Sequence, residues 1–315
     1  MDLTKIKGFI RKELGKRGTT VTSLCEKLEI KDYELLGVVE LLKQEGLLVE
    51  VINGQVVKTT AKEVEPFVYE LPLNTNKFKF MAISDVHYGS LWNRPDLVKL
   101  CYQLAEKEKC DFVTNSGDLF EGEYKNRPNH VYEVHKHGLE QQLEYIAKVY
   151  PKSDIPTYFI TGNHEASLVK QTSCNPGKML AKERPDLIYL GADLGDLKVN
   201  NVNIRLRHGG GGNAYALSYK LQKYFETIPA GDKTKIVLQG HFHFSAFMKY
   251  RDKYGINVPA LQDYTPYAKS LGLPAEMGAW LIEVEADKKG EILSITPKLH
   301  SFPSKEKVKS LTLKK

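Results

Sequence analysis

Five short clusters of histidine, aspartate and asparagine punctuate the chain, and each follows a run of apolar residues. They are Ser84-Asp85-Val86-His87, Gly117-Asp118, Gly162-Asn163-His164-Glu165, His208-Gly209 and Gly240-His241-Phe242-His243. Of nine histidines, five (His87, His164, His208, His241 and His243) stand in these clusters, which random placement would not produce. Imidazole, carboxylate and amide oxygen together suit borderline divalent metals such as manganese, iron or zinc. A carboxylate can bridge two ions held about 3.5–4 Å apart. Such a pair polarises a phosphoryl group and lowers the pKa of bound water, so a hydroxide nucleophile is available near neutral pH. Glycine beside four of the five clusters (Gly117, Gly162, Gly209, Gly240) lets the backbone turn sharply and come close to the site.

The elements that must position these residues are strands alternating with helices. Apolar runs at Phe80–Ser84, Asp111–Asn115, Thr157–Thr161, Val202–Leu206 and Lys235–Leu238 read as strands. Asp96–Glu108 and Val131–Val149 read as helices between the first three. Ala279–Glu285 and Ile292–His300 alternate and turn at Lys288-Lys289-Gly290, as a hairpin would. In open α/β sheets, ligands bind beyond the carboxyl ends of the strands. All five clusters occupy that position, so they can converge on one small volume.

In this order, DVH, GD, GNHE, HG and GHFH resemble the five-part signature of the calcineurin-like metallophosphoesterases, over roughly residues 78–300. Any one piece is weak alone; the ordered set, each after a strand, is specific. The resemblance implies an α/β fold, a two-sheet α/β sandwich with helices outside. It implies two divalent metal ions, with manganese favoured and iron or zinc as alternatives. Asp85, His87 and His243 would hold the first, Asn163, His208 and His241 the second, and Asp118 would bridge them. His164 would face the scissile phosphate and protonate the leaving oxygen, a role within the titration range of histidine. Glu165 reads as a supporting residue.

Branches of that family differ after the GD pair. The Ser/Thr protein phosphatases carry an Asp-Arg pair there, and the Arg grips a phosphomonoester. Here the sequence is Leu119-Phe120-Glu121-Gly122, without that pair. GDLF resembles the SbcD-like DNA-repair exonuclease branch, which commonly has a histidine where Glu121 stands. Lys125, Arg127, His130, His135, Lys136 and His137 follow; they either line a path for a polyanion or form a solvated face.

The front of the chain has its own pattern. Leu3, Ile6, Phe9, Ile10 and Leu14 have helical spacing, with Gly15 as a stop. Ser23 and Glu26 have capping-box spacing before a short helix. A third helix carries Leu35, Leu36, Val39 and Leu42 on its apolar side and ends at Gly46. Asn53-Gly54 then joins Leu47–Val51 to Gln55–Lys58 as a hairpin. This order resembles a winged helix-turn-helix domain. The expected organisation is therefore that domain at 1–60, a linker at 61–76, the metallophosphoesterase domain at 77–302 and a basic tail at 303–315.

The 315 residues carry 45 Lys plus Arg against 39 Asp plus Glu, a formal charge of +6. Residues 1–17 and 303–315 each hold +4, leaving the rest at −2. A basic coat over the whole protein is excluded; two basic ends on a near-neutral body are what the sequence has. Asp32, Glu34, Glu40 and Glu45 lie on or beside the third helix, so a phosphate backbone would be repelled there. The domain either meets DNA with its first helix or binds protein, perhaps a second copy. No apolar run approaches the roughly 20 residues of a membrane helix. The four scattered cysteines fit buried thiols in a reducing, cytoplasmic setting.

The reading is a dinuclear metal-dependent phosphodiesterase or nuclease acting on DNA by metal-activated water attack, with nucleic acid as substrate and no membrane partner. The alternative is a hydrolase of a small cyclic or dinucleotide phosphoester, oligomerising through its winged helix. A non-catalytic DNA- or protein-binding regulator stands third.

Overall fold

The computed structural model describes residues 3–13, 19–44, 49–52, 54–58, 68–73, 75–212 and 214–304. Gly15, Gly46, Asn53 and the tail from Lys305 lie outside them. The chain divides into two compact units, Met1–Pro66 and Phe67–Lys315.

In the first unit, α1 (Leu3–Glu13), α2 (Val21–Leu28) and α3 (Asp32–Gln44) are followed by β1 (Val49–Ile52) and β2 (Gln55–Lys58), which pair antiparallel. Ile6, Ile10, Leu24, Leu28, Leu35, Val39 and Leu42 share its core with Val49 and Val56. Helix α2 is capped by Thr20, whose side chain accepts from the Ser23 amide, so the cap sits three residues earlier than the Ser23-Glu26 spacing suggests. Leu36 is 45 % exposed and faces away from the core that Leu35 and Val39 enter. Val38 takes its place.

The second unit holds two six-stranded sheets among the described residues. In chain order the elements are β3 (Val68–Leu71), β4 (Lys77–Ile83), α4 (Pro95–Lys107), β5 (Phe112–Asn115), α5 (Gly138–Val149), β6 (Thr157–Thr161), α6 (Asn163–Thr172), α7 (Pro176–Glu183), β7 (Leu187–Ala192), β8 (Leu194–Val199), β9 (Val202–His208), α8 (Tyr219–Thr227), β10 (Thr234–Gly240), β11 (Ala246–Tyr250), β12 (Lys253–Asn257), α9 (Pro266–Ser270), β13 (Gly278–Ala286) and β14 (Ile292–Ser301). One sheet runs β14-β13-β4-β5-β6-β7, the other β11-β12-β10-β9-β8-β3. Strands β4 to β7 are parallel, as are β9, β10 and β12.

Strand alternation sorts the core into two layers. Phe78, Phe80 and Ala82 of β4 point between the sheets, where they meet Phe112, Leu206, Leu238 and Ile282. Phe80 and Phe112 stack with centroids 4.8 Å apart. Met81 and Ile83 point the other way, under helices that bury Leu97, Val98, Cys101 and Ala105 of α4 and Ile146 of α5. Full burial of such side chains contributes about 1.5–3 kcal/mol each. Cys101 and Cys110 are buried thiols, whereas Cys174 is exposed.

Two expectations change. The 61–76 span contains a strand, not only a linker: β3 pairs parallel with β8, and Tyr69 packs on Tyr158 at 5.1 Å. The Pro-rich composition around it masks four residues of ordinary strand. The helix expected from Val131 starts only at Gly138, after a 3-10 turn over Pro128–Tyr132. Val131 and Tyr132 are exposed, so their apolar character does not mark a core-facing stripe. No described helix is long and apolar enough to cross a membrane.

Candidate metal centre

The carboxyl ends of β4, β5, β6, β9 and β10 bring all eight candidate residues into one cluster. Asp85 and His87 follow β4, Asp118 follows β5, and Asn163 opens α6 after β6. His208 ends β9, and His241 and His243 follow β10. Asp85, His87, Asp118, His241 and His243 all have positive φ, between 51° and 84°. Non-glycine residues rarely adopt this region, and such strain persists where surrounding structure over-determines it. Two glycines permit the close approach. A Cβ on Gly117, whose φ is 101°, would meet His208 Nδ1 at 2.5 Å. One on Gly162 would meet Asp118 Oδ1 at 2.5 Å.

The side chains form overlapping groups. His243 Nε2 lies 3.2 Å from Asp85 Oδ1 and 3.3 Å from His87 Nε2. His208 Nε2 lies 3.0 Å from Asp118 Oδ2 and 3.0 Å from Asn163 Oδ1. Asp118, His208 and His241 can offer ligand atoms within 4.8 Å of one another, and so can Asp85, His87 and His243. Asp118 also groups with His87 and His164. Both Asp85 Oδ atoms accept from the His241 amide, at 3.1 and 3.0 Å.

The hydrogen bonding around this cluster fits a cation. His208 Nδ1–H donates to the Ser116 carbonyl at 2.8 Å, which leaves a lone pair on Nε2. That lone pair faces the Asp118 carboxylate and the Asn163 amide oxygen. Asn163 is oriented by its Nδ2–H, which donates to the Tyr124 hydroxyl at 2.8 Å. Three acceptors therefore converge, an arrangement that a positive ion resolves. Without one, burial opposes a charge on His208, but Asp118 outweighs it and raises the imidazole to about 10. Burial likewise opposes a charge on His87, and Glu121 outweighs it to raise that ring to about 9. Burial would raise the Asp85 carboxyl; His243 instead holds it below the usual range. Imidazole, carboxylate and amide oxygen is the donor set of a borderline divalent ion.

Glu121, which follows Asp118-Leu119-Phe120 in the loop after β5, is 4 % exposed and central. Its Oε2 lies 3.1 Å from His87 Nδ1, and its Oε1 lies 2.9 Å from His130 Nε2. Burial pushes its carboxyl up, but these two imidazoles pull it down to about 2. Its backbone carbonyl accepts from His164 Nδ1 at 2.5 Å. His164 is thereby oriented with Nε2 3.9 Å from Asp118 Oδ2. Burial, opposed by Asp118, pushes His164 down to about 4, so the ring is neutral at pH 7.

Glu165 ties the loops together, accepting from the Leu119 and Phe120 amides at 2.6 and 2.9 Å and from Gly162 at 2.8 Å. The role of Glu121 and Tyr124 was not legible from spacing, because neither belongs to a strand-end cluster. A cleft of about 460 Å³ opens over the centre, lined by Arg127, His130, Gly210–Gly212, Phe242 and Tyr267 among others. His135 and Lys136 stand away from it, against Tyr145.

The description "calcineurin-like phosphoesterase" belongs to the family whose sequence profile matches residues 78–266. Among solved structures, an archaeal phosphodiesterase is similar at 13 % identity, covering 70 % of this chain and 99 % of that one with a TM-score of 0.40. Zinc-complexed Vps29 from Entamoeba histolytica is similar at 13 % identity, covering 71 % and 99 %, with a TM-score of 0.36. The phosphoesterase YfcE from E. coli is similar at 16 % identity, covering 69 % and 98 %, with a TM-score of 0.35. No curated protein matches by sequence.

Proposed function

The chain belongs to the calcineurin-like phosphoesterase family, and from that premise we propose that it is a dinuclear metal-dependent phosphodiesterase acting on nucleic acid. Asp85, His87 and His243 would hold one divalent ion, manganese in the first instance, and Asn163, His208 and His241 the other, with Asp118 shared. Bound there, the ions supply Lewis-acid charge for the phosphoryl oxygens and lower the pKa of water. The chain's own residues do the rest. Gly117 and Gly162 let the ligand loops close up, Ser116 and Tyr124 fix the faces that His208 and Asn163 present, and Glu165 pins the loops. His164 is neutral, with Nε2 turned toward Asp118 Oδ2 at 3.9 Å. The negative charge of an arriving phosphodiester favours its protonation against burial. Protonated, Nε2–H gives its proton to the leaving oxygen.

The observation that carries the diester reading is Glu121. A phosphomonoester carries about −1.5 to −2 charge at pH 7, a diester only one. Glu121, buried in the cleft lining against His87 and His130, places a carboxylate beside the centre, which disfavours the more highly charged ester. Nucleic acid is favoured among diesters by the helical front unit, read as a winged helix, and by the basic ends. A single panel tests this: the manganese-loaded protein against a labelled oligodeoxynucleotide and a cyclic dinucleotide. Cleavage of the oligonucleotide supports the reading; hydrolysis of the cyclic dinucleotide alone overturns it.

One observation favours the second reading. On α3, Tyr33 and Leu36 are 63 % and 45 % exposed beside Asp32, Glu34 and Glu40. An apolar, acidic helix suits a protein partner better than a phosphate backbone. A second copy of the chain there would leave the centre to a small diester.

A further inference from the structure

The Arg127 guanidinium lies over two aromatic rings. Its guanidinium carbon lies 4.2 Å from the Tyr124 ring centroid and 4.1 Å from that of Tyr267. A tight turn returns it to Tyr124, closed by the Arg127 amide donating to the Tyr124 carbonyl at 3.0 Å. The Tyr124 ring in turn stands edge-on to His164, with centroids 4.9 Å apart. Tyr267 belongs to α9, whose cap Thr265 accepts from the Ala268 amide at 3.0 Å. The sandwich therefore joins two walls of the catalytic cleft, and all three side groups sit on braced backbone.

Stacking spends the faces of a guanidinium and leaves its edge. Five N–H donors lie in that plane, matched to the oxygens of a phosphate or carboxylate. Among the described residues no carboxylate lies within 4 Å of Arg127, and no side-chain hydrogen bond leaves it. Glu133 lines the same cleft but lies beyond ion-pair range. Arg127 is thus a fixed cation with an unspent donor edge, one tyrosine ring away from His164. The Tyr124 ring lies between that edge and His164, so the donor edge is offset from the group that faces the scissile phosphate.

We propose that Arg127 is a specificity-determining residue that binds the phosphate next to the scissile one, so the cleft selects substrates with consecutive phosphodiesters. This rests on the nucleic-acid reading of the same site. It also supplies, at a different place in the sequence, an anion-gripping arginine that the GDLF loop lacks. The Tyr sandwich contributes by holding the fork before substrate arrives, so little rotamer freedom is lost on binding.

The test is calorimetry on the full, manganese-loaded chain, with thymidine 3′,5′-bisphosphate and thymidine 5′-monophosphate as probes. The wild type should bind the bisphosphate at least tenfold more tightly than the monophosphate. R127A should lose that margin and leave monophosphate affinity within about twofold, as expected for loss of one charge-assisted contact. R127K, which keeps charge but not the flat fork, should fall between, and it guards against misfolding of R127A. Guanidinium ion added to R127A should restore part of the margin. Equal weakening of both probes, or no weakening of either, overturns the proposal. Kinetics give a separate readout: R127A should raise KM for an oligonucleotide about tenfold with kcat little changed. A protein that binds the bisphosphate through Arg127 but cuts no oligonucleotide contradicts the nuclease reading and not the anion site.

Discussion

Tyr124 and Asn163 hold each other twice. The Asn163 side-chain amide donates to the Tyr124 hydroxyl at 2.8 Å, and that hydroxyl donates to the Asn163 backbone carbonyl at 3.2 Å. One side chain outside the ligand clusters thus decides which end of the Asn163 amide faces His208. Tyr124→Phe removes both bonds and keeps the ring under Arg127. Outer contacts of this kind typically change metal affinity 10–100-fold. Manganese titration should show a loss of roughly tenfold, with the melting temperature nearly unchanged. Unaltered affinity would show that Asn163 needs no such orientation.

Asp118 and His164 touch, yet they should fail differently. The His164 amide donates to Asp118 Oδ1 at 2.9 Å, while Asp118 Oδ2 faces His208. Asp118→Asn should abolish turnover and reduce the metal content of the purified protein. His164→Ala should lower kcat roughly 10²–10⁴-fold, the usual range for one proton-transferring group, with metal content unchanged. Unchanged activity in both variants would sink the mechanism.

Glu121→Gln keeps the shape of the side chain and removes its charge. The preference for bis-p-nitrophenyl phosphate over p-nitrophenyl phosphate should then fall by roughly tenfold, about 1.4 kcal/mol of discrimination. The ratio of kcat/KM values on the two substrates is the measurement. A ratio that does not move separates Glu121 from substrate choice and leaves it only as a brace for His87 and His130.

A pH prediction comes from a pair remote from the centre. Arg184 donates to Asp186 Oδ1 at 2.8 Å and to the carbonyls of Ala147, Tyr150 and Pro151, binding the end of α5 to the start of β7. The hydrogen bond from Arg184 holds the Asp186 carboxyl below its ordinary value. Its stabilisation is therefore complete above the unfolded pKa of about 3.9 and is lost as pH falls through the lower folded value. Asp186→Asn should cost about 1–2 kcal/mol at pH 7, since Asp186 is partly exposed. The gap between the melting curves of the two proteins should begin to close only below about pH 4 and disappear once the pH is under the depressed folded value. A gap that persists there would mean the loss is steric.

The strand-end clusters were readable because their chemistry is local: a β-strand delivers its next residues to the same edge of the sheet, and glycine marks where backbones meet. Gly117 and Gly162 illustrate this, each with a ligand side chain where a Cβ would go. What lay beyond reach was contact between distant segments. Glu121 stands out in sequence only as a departure from a pattern, and its contact with His87 exists only once β4 and the loop after β5 come together. Strand β3 was hidden because four residues paired to β8 show no alternation of their own, and its partner lies more than a hundred residues away. The false start of α5 at Val131 has the opposite cause. Exposed Val131 and Tyr132 imitate a core stripe in a stretch that packs as a turn.

The most direct measurement is the fate of a 5′-labelled oligodeoxynucleotide incubated with the purified protein, with and without manganese, beside Asp118→Asn. The expected result is cleavage by the wild type in manganese, none after chelation, and none by the variant. An oligonucleotide left intact by a manganese-loaded protein that hydrolyses p-nitrophenyl phosphate would contradict the account.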